Sequence, residues 1–188
     1  MNYYNKHAKE YIQNTKNVDM KEYYVVFESY LKPNSKILDV GFGSGRDSLY
    51  FKNIGYDVYS IDPIKEFCEY GKSIGLDNVI QMSIEDINYN NEFDGIWACA
   101  SLLHLRSNML VEVFNKCYKA LKDNGIMFIS IKYGDFEGII DYRYFTYLTE
   151  ETFTNIINQT NFKIDKLWIN SQDRLNRDVK WLNVLLEK

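Results

Sequence analysis

Residues 39–47 read Asp39-Val40-Gly41-Phe42-Gly43-Ser44-Gly45-Arg46-Asp47, three alternating glycines between acidic residues. Such a stretch does its chemistry with the backbone, because glycine allows a sharp turn and lets a ligand approach with no Cβ in the way. A dinucleotide fingerprint, G-x-G-x-x-G, would need glycine at 46, where this chain has Arg46. The spacing therefore weakens a nicotinamide-dependent oxidoreductase, which stays as a minor alternative. His104 is the side chain further along whose ordinary pKa suits a general base. The cysteines Cys68, Cys99 and Cys117 are far apart without a C-x-x-C, and His7 and His104 are the only histidines. Neither a metal site nor a disulfide framework is expected.

These residues need elements to position them. Apolar residues at offsets of three, four and seven predict a helix over 2–15, and Asp19 caps a second over 19–31. A β-rich run at 36–40 stops at the glycines, and a helical pattern resumes over 46–54. A strand at 56–61 ends at Asp62-Pro63, where proline opens a helix to about residue 73. Strands follow at 78–82 and 93–99, then a helix over 107–121 closed by Asp123-Asn124-Gly125, then a strand at 126–131. A helix over 149–159 precedes two strands, 162–170 and 180–187, joined by a segment too short for a crossover, so they form an antiparallel hairpin. Alternating strands and helices imply a mostly parallel sheet with helices on both faces, its ligand edge at the carboxyl ends of the strands.

The glycine turn resembles the first motif of class I S-adenosylmethionine-dependent methyltransferases: an acidic residue, one residue, then G-x-G-x-G. The similarity extends along the chain through Met82-Ser83-Ile84-Glu85-Asp86, Phe93-Asp94-Gly95-Ile96-Trp97-Ala98, Leu103-His104-Leu105 and Leu121-Lys122-Asp123-Asn124-Gly125-Ile126. It is strongest for the small stand-alone bacterial type. It implies an α/β, Rossmann-like fold: a three-layer αβα sandwich around a mostly parallel seven-stranded sheet ending in an antiparallel hairpin. Residues 1–188 would form one domain, with 1–31 as a helical lid. The implied cofactor is S-adenosylmethionine, with S-adenosylhomocysteine as product. Asp62 would accept hydrogen bonds from both ribose hydroxyls. Ser83, Ile84 and Glu85 would bracket the adenine, with Ser83 standing where an aspartate is common. Gly41, Phe42, Gly43, Gly45, Arg46, Pro63 and, from the lid, Tyr11 complete the expected cofactor set. Asp39 would mainly support the turn, and Ala98 and Cys99 would offer backbone or wall contacts.

Methyl transfer from a sulfonium is an in-line displacement with a good neutral leaving group, so the main task is alignment and exclusion of water. His104 is the candidate base where the acceptor must lose a proton; the alternative is that it caps a helix or packs beside the cofactor. The place where DNA amino-methyltransferases carry [DNS]-P-P-[YFW] reads Cys99-Ala100-Ser101-Leu102, and the net charge of −4 lacks a basic run. The expected acceptor is therefore a small molecule, not nucleic acid. Its candidate contacts are Lys132, Arg143, Tyr144 and, on the last hairpin, Arg174, with tyrosines of the lid around them. A non-catalytic S-adenosylmethionine-binding partner or regulatory module is the other alternative, since Phe42 and many tyrosines would suit a blocked pocket. The N-terminus is too polar for a signal peptide, and no apolar run reaches the roughly 18 to 20 residues of a membrane span. A cytoplasmic protein is expected. Oligomeric state is not assigned by the sequence.

Overall fold

The structure, a computed structural model, describes residues 2–170 and 179–188. Two helices, α1 (Asn2–Thr15) and α2 (Lys21–Glu28), precede an alternating run of β1 (Lys36–Val40), α3 (Arg46–Asn53), β2 (Asp57–Asp62), α4 (Lys65–Ser73), β3 (Asn78–Gln81), β4 (Phe93–Cys99), α5 (Ser107–Ala120) and β5 (Leu121–Lys132). Then come β6 (Glu137–Ile140), β7 (Arg143–Thr146), α6 (Glu150–Ile157), β8 (Lys163–Asn170) and β9 (Trp181–Glu187). The main sheet has seven strands in the order β3-β2-β1-β4-β5-β9-β8. Strands β1 to β5 are mutually parallel, β9 is antiparallel to β5, and β8 is antiparallel to β9. This is the expected Rossmann-like sheet with its antiparallel ending. Because β8 runs parallel to β5, its end at Asn170 lies on the carboxyl edge of the sheet.

Period-two alternation of side chains builds the three layers. On one face Leu38, Val40, Ile96, Ala98, Met127 and Ile129 pack with Leu110, Val113 and Phe114 of α5 and Phe153 of α6. On the other, Ile37, Trp97, Phe128 and Leu185 meet Tyr23, Tyr24 and Phe27 of α2 and Phe51 of α3. At roughly 25 cal/mol per Å² of apolar surface removed from water, these two aromatic-rich faces supply most of the driving force for folding. The helix α2 thus belongs to the core. Only α1 lies over the ligand edge, where Ala8 and Ile12 pack against Ile64, Phe67 and Cys68. The segment expected as a lid over 1–31 therefore divides in two, because the Tyr23, Tyr24 and Phe27 face is too apolar to stay off the sheet.

A second sheet pairs β6 with β7. Sequence pattern predicts no strand there, because the turn lacks the Asn-Gly or Asp-Gly signal that two residues at positive φ usually require. Asp141 and Tyr142 adopt that conformation instead, at φ 48° and 62°. The hairpin reaches back to α5, where Glu137 accepts from the Ser107 backbone N–H, and to the β4–α5 connection through Thr146, whose hydroxyl donates to the Leu105 carbonyl. Among the described residues, no helix is long and apolar enough to cross a membrane.

Candidate active site

The carboxyl ends of β1, β2 and β4, the helix α1 and the β6–β7 hairpin enclose a cleft of about 300 Å³, at the lower end of the volumes typical of small-molecule sites. The glycine turn divides between two directions. Gly41 and Gly43 face the cleft. A Cβ at Gly41 would sit 2.5 Å from Ser101 Cβ, and one at Gly43 would sit 3.0 Å from the Tyr11 ring. Phe42 is buried with its ring against Gly71, and Gly45, the N-cap of α3, lies against Ile74. Both of those therefore serve the packing of α3 and α4.

Asp62 ends β2 at the cleft wall and is 4% exposed. Its Oδ2 accepts from the Gly43 N–H at 3.1 Å and its Oδ1 from the Ile64 N–H at 2.9 Å. Each oxygen keeps a further acceptor position. Burial pushes its pKa up to about 6, against the opposing pull of those two N–H groups. Pro63, Ser83, Ile84 and Glu85 also line the cleft, and the Ser83 hydroxyl donates to the Glu85 carboxylate.

His104, Tyr3, Tyr4, Arg143 and Tyr144 line the same cleft. His104 Nδ1 is 2.7 Å from the Tyr144 carbonyl oxygen, which only accepts, so Nδ1 carries the hydrogen and Nε2 presents its lone pair. That lone pair accepts from the Tyr4 hydroxyl at 2.8 Å. Burial, reinforced by the charges of Arg143 and Lys132, lowers the His104 pKa to about 4, so the ring is neutral at physiological pH. The Tyr4 and Tyr11 phenols are pushed up by burial.

Several expected site residues sit outside the cleft lining. Asp39 is buried behind the turn and accepts from Ser48 Oγ at 2.6 Å. Arg46 pairs through Nε and Nη2 with Asp47, and its Nη1 reaches the Thr15 carbonyl at 3.5 Å. Ala98 is wholly buried in the sheet, and the Cys99 thiol, pushed up to about 12 by burial, lies beside Arg46. Lys132 stands 4.2 Å from the centre of the Phe145 ring and donates to the Tyr147 hydroxyl, bracing the hairpin. Arg174 lies outside the described residues. Conversely, the cleft includes Phe67, Met82, Ala100, Ser101, Leu102 and Leu105. Of these, Ser101 carried a usable signal, a polar residue directly after a strand end on the ligand edge.

Residues 38–129, from β1 into β5, match the family model described as a methyltransferase domain. The fold matches that of the Burkholderia thailandensis 1,6-didemethyltoxoflavin-N1-methyltransferase with a TM-score of 0.79 at 18% identity, over 97% of this chain and 83% of that one. Over residues 38–129 the chain is similar to S-adenosylmethionine-dependent methyltransferase domains, and it shares their fold. It is 29% identical over 147 residues to the phosphoethanolamine N-methyltransferase of Plasmodium falciparum, covering 71% of this chain and 55% of that protein. It is 35% identical over 105 residues to the mitochondrial ubiquinone biosynthesis O-methyltransferase of Rattus norvegicus, covering 50% and 30%. The chain thus spans about half, or less, of the length of these curated relatives. One is named for N-methylation and the other for O-methylation, so the likeness alone leaves the acceptor atom open.

The residues present suit such a cofactor. Asp62 keeps one acceptor position per oxygen, matched to two adjacent hydroxyls, and the bare backbone at Gly41 and Gly43 lets Ser101 and the Tyr11 ring close onto the turn at the cleft. Ser101 Oγ and Arg143 Nε are buried in the cleft wall without a hydrogen-bond partner.

Proposed function

We propose that this protein binds S-adenosylmethionine against the glycine turn and transfers its methyl group to a small-molecule acceptor held between α1, His104 and the β6–β7 hairpin. The observation that carries this reading is the shared wall: Asp62, Gly43 and the Tyr4–His104 pair all border one cleft. When bound, the cofactor supplies an electrophilic methyl whose leaving group needs no protonation.

The protein's work is then positional. Asp62 holds the ribose through its free acceptor positions, and Ser83, Ile84 and Glu85 wall the adenine. The rings of Tyr3, Tyr4, Tyr11 and Phe67 exclude water from the reacting end, which a displacement in a closed site requires. His104, neutral and with its Nε2 lone pair directed at Tyr4, takes a proton that the acceptor passes through the Tyr4 hydroxyl. Pro63 fixes the start of the segment entering α4, and Phe42, Gly45, Arg46 and Asp39 act through the turn's shape without touching ligand. Lys132, Arg143 and Tyr144 belong to the acceptor end, where Lys132 acts by bracing the hairpin.

The likeness to an enzyme named for phosphoethanolamine supports a compact polar acceptor, and the fold neighbour named for didemethyltoxoflavin extends the range to a heteroaromatic one. Calorimetry with S-adenosylmethionine, S-adenosylhomocysteine and NAD, followed by an acceptor screen reading S-adenosylhomocysteine release, tests the proposal. Micromolar binding of both adenosyl compounds and turnover with at least one acceptor are expected. Binding of NAD alone would overturn the cofactor reading, and cofactor binding without any turnover would favour the non-catalytic module.

A further inference from the structure

Four buried side-chain polar atoms among the described residues have no hydrogen-bond partner, and two of them, Ser101 Oγ and Arg143 Nε, belong to residues lining the same cleft. Buried polar groups are normally satisfied, so an orphan calls for a physical reason. Arg143 belongs to the β6–β7 hairpin beside Tyr3 and Tyr4, and Ser101 packs directly against Gly41 of the glycine turn.

Arg143 is held by ring stacking, by a hydrogen bond to the Tyr4 phenol and by one long ion pair. Its guanidinium carbon lies 4.3 Å from the centre of the Tyr3 ring and 5.2 Å from that of Phe145. Its nearest carboxylate, that of Asp141, is 3.9 Å away on a side chain 76% exposed, whereas the Arg143 side chain is only 25% exposed. The other carboxylates around the cleft are committed. Glu137 accepts from the Ser107 N–H and the Tyr144 hydroxyl, Glu85 from Ser83, and Asp62 from Gly43 and Ile64. A largely buried guanidinium whose Nε–H has no partner keeps part of its fork for a planar carboxylate or a phosphate. The second cation on this side, Lys132, also abuts Phe145 and adds to the local positive field.

Ser101 occupies the boundary between the two halves of the cleft. Its Cβ fills the space left open by Gly41, and its carbonyl receives the His104 N–H. A hydroxyl both donates and accepts, so at this position it can hold an N–H or O–H group of an acceptor next to the Tyr4–His104 pair.

We infer that Arg143 and Ser101 are the two polar anchors of the acceptor, and that the acceptor is a small anion bearing a carboxylate or phosphate at one end and a nucleophilic nitrogen or oxygen at the other. This rests on the methyl-transfer reading for the identity of the site. Arg143 takes the anionic group, and Ser101 takes the end that is methylated.

Calorimetry on the full chain, with and without saturating S-adenosylhomocysteine, tests it with two pairs of probes: inorganic phosphate against phosphoethanolamine, and acetate against glycine. At least one anion should bind, and its identity distinguishes phosphate from carboxylate. Arg143→Gln should weaken that anion at least tenfold and Arg143→Lys less, while S-adenosylhomocysteine affinity measured on the same preparations stays within about twofold, which also reports that the variants are folded. Ser101→Ala should leave the simple anion unchanged and remove the added affinity of the probe that carries an amine. Anion binding unaffected by Arg143→Gln, or no binding of either anion, overturns the proposal, and an amine increment untouched by Ser101→Ala overturns its Ser101 half. Failure of S-adenosylhomocysteine to bind, with Arg143-dependent anion binding intact, would instead refute the cofactor reading and leave the anion site standing.

Discussion

The Tyr4 hydroxyl donates to His104 Nε2 across 2.8 Å, joining residues 100 positions apart and tying α1 to the segment after β4. The same contact fastens the helix over the cleft, while the histidine's tautomer is set from its other side, where Nδ1 is committed to the Tyr144 carbonyl. One hydrogen bond therefore both holds α1 over the cleft and engages the lone pair of His104.

Removing that hydroxyl separates the two roles. Tyr4→Phe keeps the ring that packs 5.4 Å from Tyr11 and 6.0 Å from Phe67, so the helix should stay seated and cofactor affinity should change less than about twofold. Loss of a positioned acid–base group typically lowers turnover by about 10² or more. His104→Gln should give a similar loss, and the double variant should be no worse than either single one. Independent, multiplying losses in the double variant would show that the pair does not act as a unit.

The pH response should divide into two limbs. Asp62 titrates at about 6 because it is buried, so it is ionised above that value and protonated below. Only the carboxylate offers an acceptor on both oxygens, so the cofactor dissociation constant should rise as pH falls through 6, by at most about tenfold per unit. Asp62→Asn should bind about tenfold to a hundredfold more weakly and lose this dependence, consistent with a lost charge-assisted hydrogen bond of about 1.5–3 kcal/mol. His104, lowered to about 4, is already neutral through this range, so turnover at saturating cofactor should hold steady down to about pH 5. A turnover limb centred near 6.5 would mean that His104 is solvated in the working enzyme.

How far the sequence carries can be judged from individual residues. The sheet is legible because strand and helix periods alternate from Lys36 to Ile131, and Gly43 and Asp62 are legible because their types sit at strand ends. The β6–β7 hairpin is not, because Asp141 and Tyr142 take positive φ without the residues that usually advertise it. Phe67 is hidden for another reason: a helix phenylalanine looks like framework until tertiary packing turns it toward a cavity. Tyr24 illustrates the same limit from within the core, since its hydroxyl bond to Asp47 spans 23 positions and leaves no local pattern.

Asp47 should be the most stability-sensitive carboxylate of the domain. It accepts from Tyr24 Oη at 2.5 Å, Arg46 Nε at 2.7 Å, Arg46 Nη2 at 2.8 Å and Trp97 Nε1 at 3.0 Å. Burial alone would raise its pKa, but the Arg46 charge and these donors hold it below the usual carboxylate range. Its stabilisation is thus present above the unfolded value near 4 and lost as pH falls below it. Asp47→Ala strands a buried guanidinium and should cost about 3–5 kcal/mol. Denaturant melts measure this directly, and a loss under about 1 kcal/mol would show that solvent reaches Arg46.

Gly43 offers the sharpest separation of folding from binding. Its φ of +50° is unfavourable for a side chain, and a Cβ there would lie 3.0 Å from Tyr11 Cε1, so valine would both strain the turn and push the Tyr11 ring. Because the Gly43 N–H donates to Asp62, a displaced turn also misplaces the carboxylate that would hold the ribose. Gly43→Val should therefore abolish S-adenosylmethionine binding while costing only about 1–3 kcal/mol of stability, since the strain sits at the cleft edge and not in the packed sheet. Gly43→Ala with Tyr11→Ala distinguishes the two causes. If crowding dominates, removing the Tyr11 ring restores most of the affinity lost in Gly43→Ala; if backbone strain dominates, it restores none. Native affinity in Gly43→Val itself would refute the assignment of this turn as the cofactor's seat.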